Sequence, residues 1–346
     1  MIGLYLHHQG SGHRTRGTQI AHELGALAPG GVTGLGTGPA PADWPAEWVS
    51  LARDDDPMPL HTGPGQADVA ASGVLHWAPR HHAGLLERHA QVVDWLHRER
   101  PSAVLVDVSV EVALLVRLCG VPVVVTALPG NRRDRPHRTA YDLADHLLAT
   151  WPAGTHDRDW PEAGRAKTSH VGAISRVADR VPPAAPPAAP GPRQVLVLWG
   201  DGGSDVSAED IARARAATPG WRWTHRGGAQ PRSADLWAEL AAADVVVTHA
   251  GQNAVADVAS ARRPAVVVAQ RRPHGEQEAT ARAVRRLGIA QGLSGWPSAE
   301  EWPQLLDDAH TRGGQGWARW QQPGAAARAA HLLHHTYAAP SLQEVG

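Results

Sequence analysis

The 346-residue sequence contains a single cysteine, Cys119, and no phenylalanine. One cysteine cannot form an intrachain disulfide, and it cannot build a cysteine-based zinc cluster. Lys167 is the only lysine, so nearly all basic charge is arginine, whereas tryptophan occurs 14 times. Together with abundant alanine, glycine and proline, this pattern indicates compositional bias. Arginine richness by itself therefore does not indicate a function.

The chain also lacks an excess of charge and long apolar runs. Its formal net charge is −1, which is not the basic footprint of a nucleic-acid-binding protein. No apolar run approaches the roughly 18 residues of a membrane-spanning helix, and the N-terminus does not resemble a signal peptide. We therefore expect a cytoplasmic protein with no nucleic-acid partner and at most peripheral contact at the inner face of the membrane.

Two domains are expected from length and from one proline-rich segment. The length suits about two domains of roughly 150 residues, and 42% hydrophobic residues suffice for two packed cores. Residues 181–192 read VPPAAPPAAPGP. Dense proline cannot form a helix or a central strand, so this segment predicts a stiff linker near the middle of the chain.

The segment 245–281 has the clearest pattern in the second half. Two buried strands and two helices alternate in it, at 245–248, 253–261, 265–269 and 276–287. The alternation predicts parallel strands joined by right-handed crossovers. The loops 249–253 and 270–275 then lie at the carboxyl edge of the sheet, where ligands of open α/β sheets bind.

Several residues of these loops and helices suit a sugar nucleotide. The loop around Gly251 opens a helix, whose free N–H groups could hold a phosphate. Asp257 could accept both hydroxyls of a ribose, and Glu276 and Gln277 could contact a second sugar. The alternatives are that the two acids only complement helix dipoles and that Gly251 is only a turn residue.

The N-terminal half begins with the same kind of unit. A strand, a glycine-rich turn and a helix are predicted at 2–7, 9–13 and 14–27. Thr15 stands where a dinucleotide-binding fingerprint has its third glycine, so NAD binding is not favoured. His13 ends the turn at a position that opens onto a cleft, and an imidazole titrates near neutrality, as a general base should. The alternative is that His13 only caps or packs.

A second βαβ unit places Asp107 near His13. Asp107 closes the predicted strand 103–107, so its carboxylate is expected at the same sheet edge as His13. The alternative is an acid that complements the N-terminus of the helix predicted at 110–118.

These motifs resemble the GT-B glycosyltransferases, specifically glycosyltransferase family 28, which includes the lipid I N-acetylglucosaminyltransferases. HAGQNAVAD at 249–257 is similar to the family's SGAxTxxE-like segment, with Asp257 where glutamate is usual. The segment 264–270 and the pair Glu276-Gln277 match the family's later motif without a gap. GSGHRTR at 10–16 resembles the GSGHxxR-like turn of many N-terminal domains of these enzymes.

The resemblance implies an α/β protein of the GT-B class, with two Rossmann-like domains whose parallel sheets face each other across a cleft. Residues 1–180 would bind the acceptor, 181–193 would form the linker, and 194–324 would bind the nucleotide sugar. Residues 325–346 would include a helix that crosses back to the first domain.

The resemblance also implies roles for individual residues. His13 would be the general base, and Asp107 would orient and stabilise its imidazolium. Asp257 would hold the nucleotide ribose, and Glu276 and Gln277 the donor sugar. The other implied donor-binding residues lie in turns near the diphosphate, the sugar or the base: Gly12, Gly202, Gly203, Ser204, Arg226, His249, Gly251, Gln252 and Asn253.

The implied activity is transfer of a sugar from a nucleotide-diphosphate sugar, with UDP favoured, to an acceptor hydroxyl. No cofactor and no metal are expected, because helix-end amides would stabilise the diphosphate. A lipid-linked acceptor and a secondary metabolite both suit the sequence. The alternative functions are a nucleotide-sugar hydrolase on the same fold and a non-catalytic protein that binds nucleotide sugars.

Other polar segments are expected to be surface. Four arginines between 132 and 138 predict a solvated basic loop. The run 54–56 and the pair Asp157 and Asp159 predict solvated acids, not the metal-binding DxD motif of GT-A enzymes. His331 and His335 have the i,i+4 spacing of metal ligands but no third ligand, so a surface pair is predicted. Within 30–80 only one strand, 48–52, is predicted, and 152–174 is predicted to be irregular.

Overall fold

The computed structural model describes residues 1–8, 10–56, 68–155, 160, 162–184, 190–200, 204–320 and 323–337. The strands among them are β1 (Ile2–Leu6), β2 (Val32–Thr37), β3 (Glu47–Leu51), β4 (Ala103–Val106), β5 (Val123–Ala127), β6 (His146–Ala149), β7 (Thr168–His170), β8 (Arg193–Leu198), β9 (Trp221–Arg226), β10 (Val245–His249), β11 (Ala265–Val268) and β12 (Gln291–Leu293). The α-helices are α1 (Ser11–Leu27), α2 (Ala83–Glu99), α3 (Val110–Leu118), α4 (Arg135–Leu143), α5 (Glu162–Arg165), α6 (Ala208–Ala217), α7 (Leu236–Ala242), α8 (Gln252–Ser260), α9 (Glu276–Arg286), α10 (Trp302–Arg312) and α11 (Ala325–Tyr337). Short 3-10 helices lie at Pro273–Gly275, Ala299–Glu301 and Gln315–Arg319.

The first domain is built on a sheet of seven parallel strands in the order β3-β2-β1-β4-β5-β6-β7. Every residue of β1, β4 and β5 is buried, as expected for parallel strands that helices cover on both faces. Gly3 allows one of these helices to approach closely, because a Cβ there would lie 2.5 Å from Cη2 of Trp95 in α2.

The second domain is built on five parallel strands in the order β12-β11-β10-β8-β9. Its core contains large indoles where other proteins use phenylalanine, among them Trp199, Trp223 and Trp302. Of these three, Trp223 has a hydrogen-bond partner for its polar edge, since its Nε1 donates to Oγ1 of Thr218 at 2.9 Å. The predicted pair of parallel α/β sheets is confirmed.

Each sheet has one point where the strand order reverses, and open α/β sheets bind ligands at such points. In the first sheet the reversal lies between β1 and β4, so the loops that follow these strands diverge and leave a crevice. In the second sheet it lies between β8 and β10. The two crevices face each other across the cleft between the domains.

The last described helix packs on the first domain. Leu333, Ala329 and Ala330 of α11 are buried in one cluster with Ile20 and Leu24 of α1. The small alanine side chains allow the two helices to approach closely. None of the described helices is both long and apolar enough to cross a membrane.

Two surface predictions are wrong in part. Arg132 is 4% exposed, because its guanidinium donates to the carbonyl of Pro129 and to Glu276. Arg133 is an exposed loop residue as predicted, whereas Arg135 and Arg138 are exposed but belong to α4. Asp54 is not solvated, because its carboxylate lies 3.4 Å from Nε of the fully buried Arg88. A buried guanidinium requires such a partner. Asp157 and Asp159 lie outside the described residues.

Six of the described strands and α-helices were not predicted, namely β2, β7, β12, α4, α5 and α7. The sequence of β2, VTGLGT, has weak strand propensity because of its two glycines. The fold requires these two glycines, because a Cβ on Gly34 or Gly36 would meet the ring of Trp48 at 2.5 and 2.9 Å. The two glycines of β2 therefore make room for the indole of Trp48 in the neighbouring strand β3.

Candidate active site

The cleft between the domains holds a cavity of about 390 Å³. The size and position are those of a small-molecule site in a two-domain α/β protein. Among the described residues, its lining is Gly10, Gly12, His13, Thr15, Arg16, Leu128, Arg176, Leu198, Trp199, Gly200, Arg226, Gly227, Arg232, Ser233, Leu236, His249, Gly251, Gln252, Asn253, Ala254, Asp257 and Glu276.

His13, Asp107 and Arg16 form a hydrogen-bonded cluster on the first-domain wall. Nδ1 of His13 lies 2.8 Å from Oδ2 of Asp107, and Nη2 of Arg16 donates to both carboxylate oxygens at 2.6 and 2.9 Å. A carboxylate only accepts, so His13 carries its proton on Nδ1 and leaves Nε2 as the proton acceptor. This is the arrangement of a general base with an orienting acid.

Asp107 is held ionised although it is 2% exposed. Burial by itself would raise its pKa, but the charge of Arg16 and the hydrogen bonds from Arg16 and His13 lower the pKa far below its usual range. The next residue, Val108, has φ 60, an unfavourable conformation for a β-branched side chain. Such strain is typical of functional turns, and here it follows the carboxylate at the end of β4.

His13 takes its position from the start of α1. Gly10 precedes this helix with φ 92, a conformation that disfavours other residues, and His13 is the third helical residue. Arg16 follows one turn later on the same face, which explains why both reach Asp107. The carbonyl of Gly12 faces the second domain and accepts from Nδ2 of Asn253 at 3.2 Å.

On the opposite wall, the loop after β10 packs tightly around His249. Nδ1 of His249 accepts the N–H of Gly251 at 3.0 Å and lies 3.4 Å from Nε2 of Gln277. A Cβ on Gly251 would lie 2.3 Å from this ring, and one on Gly200 would lie 2.8 Å from its Nε2. Both glycines are therefore needed for close packing. Gln277 supports the loop, since its Oε1 also accepts the N–H of Gln270 at 3.0 Å.

The N-terminus of α8 faces the cleft and contacts the first domain. Oε1 of Gln252 accepts from Nη1 of Arg16 at 3.1 Å. Gly251 precedes the helix without a side-chain cap. Because the first N–H groups of a helix have no partner within it, those of Gln252 and Asn253 can donate to an anion in the cleft.

Asp257 lies in the wall of the cleft but already has protein partners. Ser175 donates to its Oδ1 at 2.7 Å, and Arg176 reaches its Oδ2 at 3.1 Å. Burial raises the pKa of Asp257, against the opposing charge of Arg176 and the bonds from both residues. The side chain of Arg176 is 54% exposed, so it can move away from the carboxylate into solvent.

The structure places only some of the other predicted donor-binding residues in the lining of the cleft. Glu276 lines the cleft and accepts from Arg132 at 3.2 Å. Arg226 also lines it, and its Nε donates to Glu239 at 2.7 Å. Ser204 is exposed and bonds locally to the backbone of Val206, and it is not among the described lining residues. Gly202 and Gly203 lie outside the described residues.

Three arginines of the site were not predicted to be functional. Arg16 lies in the GSGHRTR motif, and its spacing of three from His13 is the signal that could have identified it. Arg176 and Arg132 carry no such signal, because each meets its acid only through contact between distant parts of the chain.

Buried histidines predict a loss of stability in weak acid. Burial lowers the pKa of His7 and of His249 to about 4, and that of His137 to about 3. Between about pH 6.5 and these values the unfolded chain binds more protons than the folded chain, so stability falls as the pH falls. Each histidine contributes up to about 1.4 kcal/mol per pH unit.

We therefore expect urea unfolding midpoints to decrease steeply from pH 6.5 to pH 4.5, before carboxylates titrate. His7→Gln should reduce this slope, whereas the exposed His22→Gln should leave it unchanged. A midpoint that stays constant down to pH 5 would contradict the prediction.

Residues 232–295 match the family described as the glycosyltransferase family 28 C-terminal domain. The match spans α7 to β12 and thus includes the loop after β10, α8 and the Glu276-Gln277 pair. Among curated protein sequences, none matches this chain.

Solved glycosyltransferases share the fold over nearly the whole chain. The structure described as the glycotransferase of kitacinnamycin has a TM-score of 0.67 at 18% identity, covering 97% of this chain and 98% of that chain. MurG of Acinetobacter baumannii has a TM-score of 0.64 at 15% identity, covering 96% and 99%. Arabidopsis thaliana UGT89C1, complexed with UDP-L-rhamnose, has a TM-score of 0.67 at 14% identity, covering 97% and 98%.

The chain therefore has the GT-B fold of these glycosyltransferases, and its C-terminal half carries a family 28 domain segment. These comparisons confirm the predicted GT-B fold, the predicted resemblance to family 28 and the predicted glycosyltransferase class.

Proposed function

We propose that this protein transfers a sugar from a nucleotide-diphosphate sugar to an acceptor hydroxyl, without a metal in the reaction. The observation that carries the proposal is that the His13–Asp107–Arg16 cluster faces the N-terminus of α8 across one cavity. A base on one wall and an anion-binding helix end on the other are the two requirements for displacement of a nucleotide.

In the proposed reaction, Nε2 of His13 removes the proton of an acceptor hydroxyl. The oxygen then forms a bond to the anomeric carbon, and the bond from that carbon to the diphosphate oxygen breaks. Asp107 stabilises the imidazolium that results. The negative charge that develops on the departing diphosphate is stabilised by the free N–H groups of Gln252 and Asn253 and by the helix dipole.

The donor is proposed to lie against the second domain, with its diphosphate at α8. Asp257 would accept the ribose hydroxyls once Arg176 moves aside, and Glu276 would contact the sugar. Gln277 would act through the loop it supports, because its amide already bonds to Gln270. UDP is the proposed nucleotide, which is also the one named in the complex of UGT89C1.

The acceptor is proposed to bind in the first domain. A second cavity of about 300 Å³ opens there and is lined by Tyr5, His7, Trp77 and Leu85, among others. The ring of His7 lies 5.6 Å from that of His13, so a hydroxyl at this end of the cavity comes within reach of the base. Its lining combines aromatic and apolar side chains with acidic ones, namely Asp54, Asp55 and Glu111. It therefore suits an acceptor with both apolar and hydroxyl groups, such as a lipid-linked acceptor or a secondary metabolite. We propose a cytoplasmic enzyme that contacts the membrane at most peripherally.

The proposed transfer and the alternative hydrolysis differ in the nucleophile. UDP release would be followed with UDP-sugars, first without acceptor and then with candidate hydroxyl acceptors. A transferase releases UDP slowly alone and faster with acceptor, in amounts equal to the glycosylated product. Fast and complete release without acceptor would favour a hydrolase, and binding without any release would favour a non-catalytic protein.

Asp257→Ala is expected to weaken donor binding about 10- to 100-fold, because two charge-assisted hydrogen bonds to the ribose are lost. Isothermal titration calorimetry with UDP and UDP-sugars measures this directly. Asp257→Glu should bind the donor with nearly wild-type affinity, since glutamate is usual at this position in the family that the sequence resembles. Asp179→Ala removes an exposed acid of the same region and is the matched control. Unchanged affinity in Asp257→Ala would remove the ribose assignment.

A further inference from the structure

We propose that His76, Asp134 and His274 bind one zinc-like transition-metal ion that joins the two domains. The ion takes no part in the proton transfer proposed above, although His76 also lines the second cavity, where the acceptor is proposed to bind. His76 and Asp134 belong to the first domain, and His274 belongs to the loop before α9 in the second.

The three side chains already converge. Nε2 of His76 lies 3.7 Å from Oδ1 of Asp134, and Nδ1 of His274 lies 3.1 Å from Oδ2 of the same carboxylate. With zinc–ligand bonds of about 2.0–2.1 Å, tetrahedral ligand atoms are roughly 3.3 Å apart. Ligand atoms of the whole group, with His137 included, lie within 4.8 Å of one another. Small rotations of the side chains therefore complete the site.

His137 positions Asp134 and is not itself assigned as a ligand. Nη1 of Arg132 lies 3.1 Å from Nε2 of His137. A guanidinium only donates, so Nε2 must accept and the proton of the neutral ring is on Nδ1. That nitrogen donates to Asp134 at 2.8 Å. The carboxylate of Asp134 is thus oriented by the hydrogen bond from His137, as the ligands of metal sites are commonly oriented by hydrogen bonds from neighbouring residues.

The backbone holds His274 at the site. Its φ of 64 is uncommon for a residue other than glycine, and its carbonyl accepts the N–H of Asn131 at 2.7 Å. Gly130 makes this approach possible, because a Cβ there would lie 2.5 Å from the same carbonyl. The contact brings the loop of the second domain directly against the first-domain turn that carries Asp134.

The donor set determines the class of ion. Two imidazoles and one carboxylate suit zinc, cobalt, nickel or copper, whereas magnesium and calcium prefer oxygen ligands. The three side chains are 28–35% exposed, so an ion can enter from solvent. A fourth position remains for water. An ion bound to residues of both domains would hold the two domains together at this edge of the cleft.

The test is zinc binding to the full chain after treatment with a chelator, measured by competition with a chromophoric chelator. We expect one tight site per chain and at least about 100-fold weaker binding in His274→Ala or His76→Ala, since even outer partners of a metal ligand contribute 10–100-fold. Asp134→Asn should lose affinity while it retains the cap of α4. Cobalt should show the strong visible absorption of four-coordinate geometry, and His274→Ala should not.

Matched controls use the other histidine clusters. His331→Ala with His335→Ala removes an exposed pair of stacked imidazoles, and His8→Ala removes the histidine beside Asp54 and Asp55. Both should retain the tight site. Zinc should also raise the melting temperature of wild type and of these controls but not of His274→Ala. Equal zinc affinity in wild type and folded His274→Ala, or loss of the site in a control, would overturn the proposal.

Discussion

His13→Ala is expected to lower kcat of sugar transfer by about 10³-fold, within the range of 10²- to 10⁴-fold typical of a lost general base. The imidazole is the group that would accept the acceptor proton, and its Nε2 is directed away from the Asp107 bond. Donor affinity should remain nearly unchanged, because the proposed donor contacts come from the second domain. Initial rates of UDP release with acceptor, together with calorimetry of UDP, measure the two quantities separately.

The matched control is His22→Ala, which removes an exposed imidazole from the same helix. It should leave both the rate and the donor affinity unchanged. If His13→Ala transfers sugar at the wild-type rate, His13 is not the base. A parallel loss of donor affinity would instead assign it to binding.

Asp107→Asn is expected to reduce both activity and stability. The amide cannot replace the charge that Arg16 faces, and the side chain of this arginine is only 6% exposed. A buried charge that loses its partner costs about 3–5 kcal/mol. The amide also no longer selects the tautomer with the proton on Nδ1 of His13, so we expect kcat to fall by about 10²- to 10⁴-fold.

The stability loss should be measured by urea unfolding at pH 7. The pKa of Asp107 is lowered in the folded protein, so its contribution is fully present above the usual carboxyl range and is lost only as the pH falls below it. The double variant with Arg16→Gln removes both charges, so it should recover most of the stability but not the activity. If Asp107→Asn turns over at the wild-type rate, Asp107 is only a structural partner of Arg16.

Much of the fold could be predicted from local sequence. The strands β1, β4, β10 and β11 are short runs of apolar or β-branched residues between turn signals, and α3 has the predicted bounds. Such strands can be recognised in the sequence because burial on both faces requires continuous apolar residues. In contrast, β2 is a glycine-rich strand of weak propensity, whose glycines make room for the indole of Trp48 in β3.

Part of the candidate site could be predicted in the same way. His13 and Asp107 follow strands that neighbour each other in the sheet, and parallel strands bring their carboxyl ends to one edge. The partners of Asp257 and Glu276 could not be predicted, because Arg176 and Arg132 reach them across the boundary between the domains. No spacing within the sequence encodes such contacts.

The sequence by itself determined the alternation of strands and helices, the two domains and the strand–helix unit that contains His13, because these depend on residues close together in the chain. It placed His13 in the turn, whereas the structure has it in the first turn of α1. Only the tertiary structure decided which charges are buried and with what partners: Arg16 with Asp107, Arg132 with Glu276, and the histidines around Asp134. Burial and charge pairing depend on distances between residues far apart in sequence. Those distances exist only in the folded chain, and the contacts of Arg132 with Glu276 and of His274 with Asp134 also require the two domains to pack against each other.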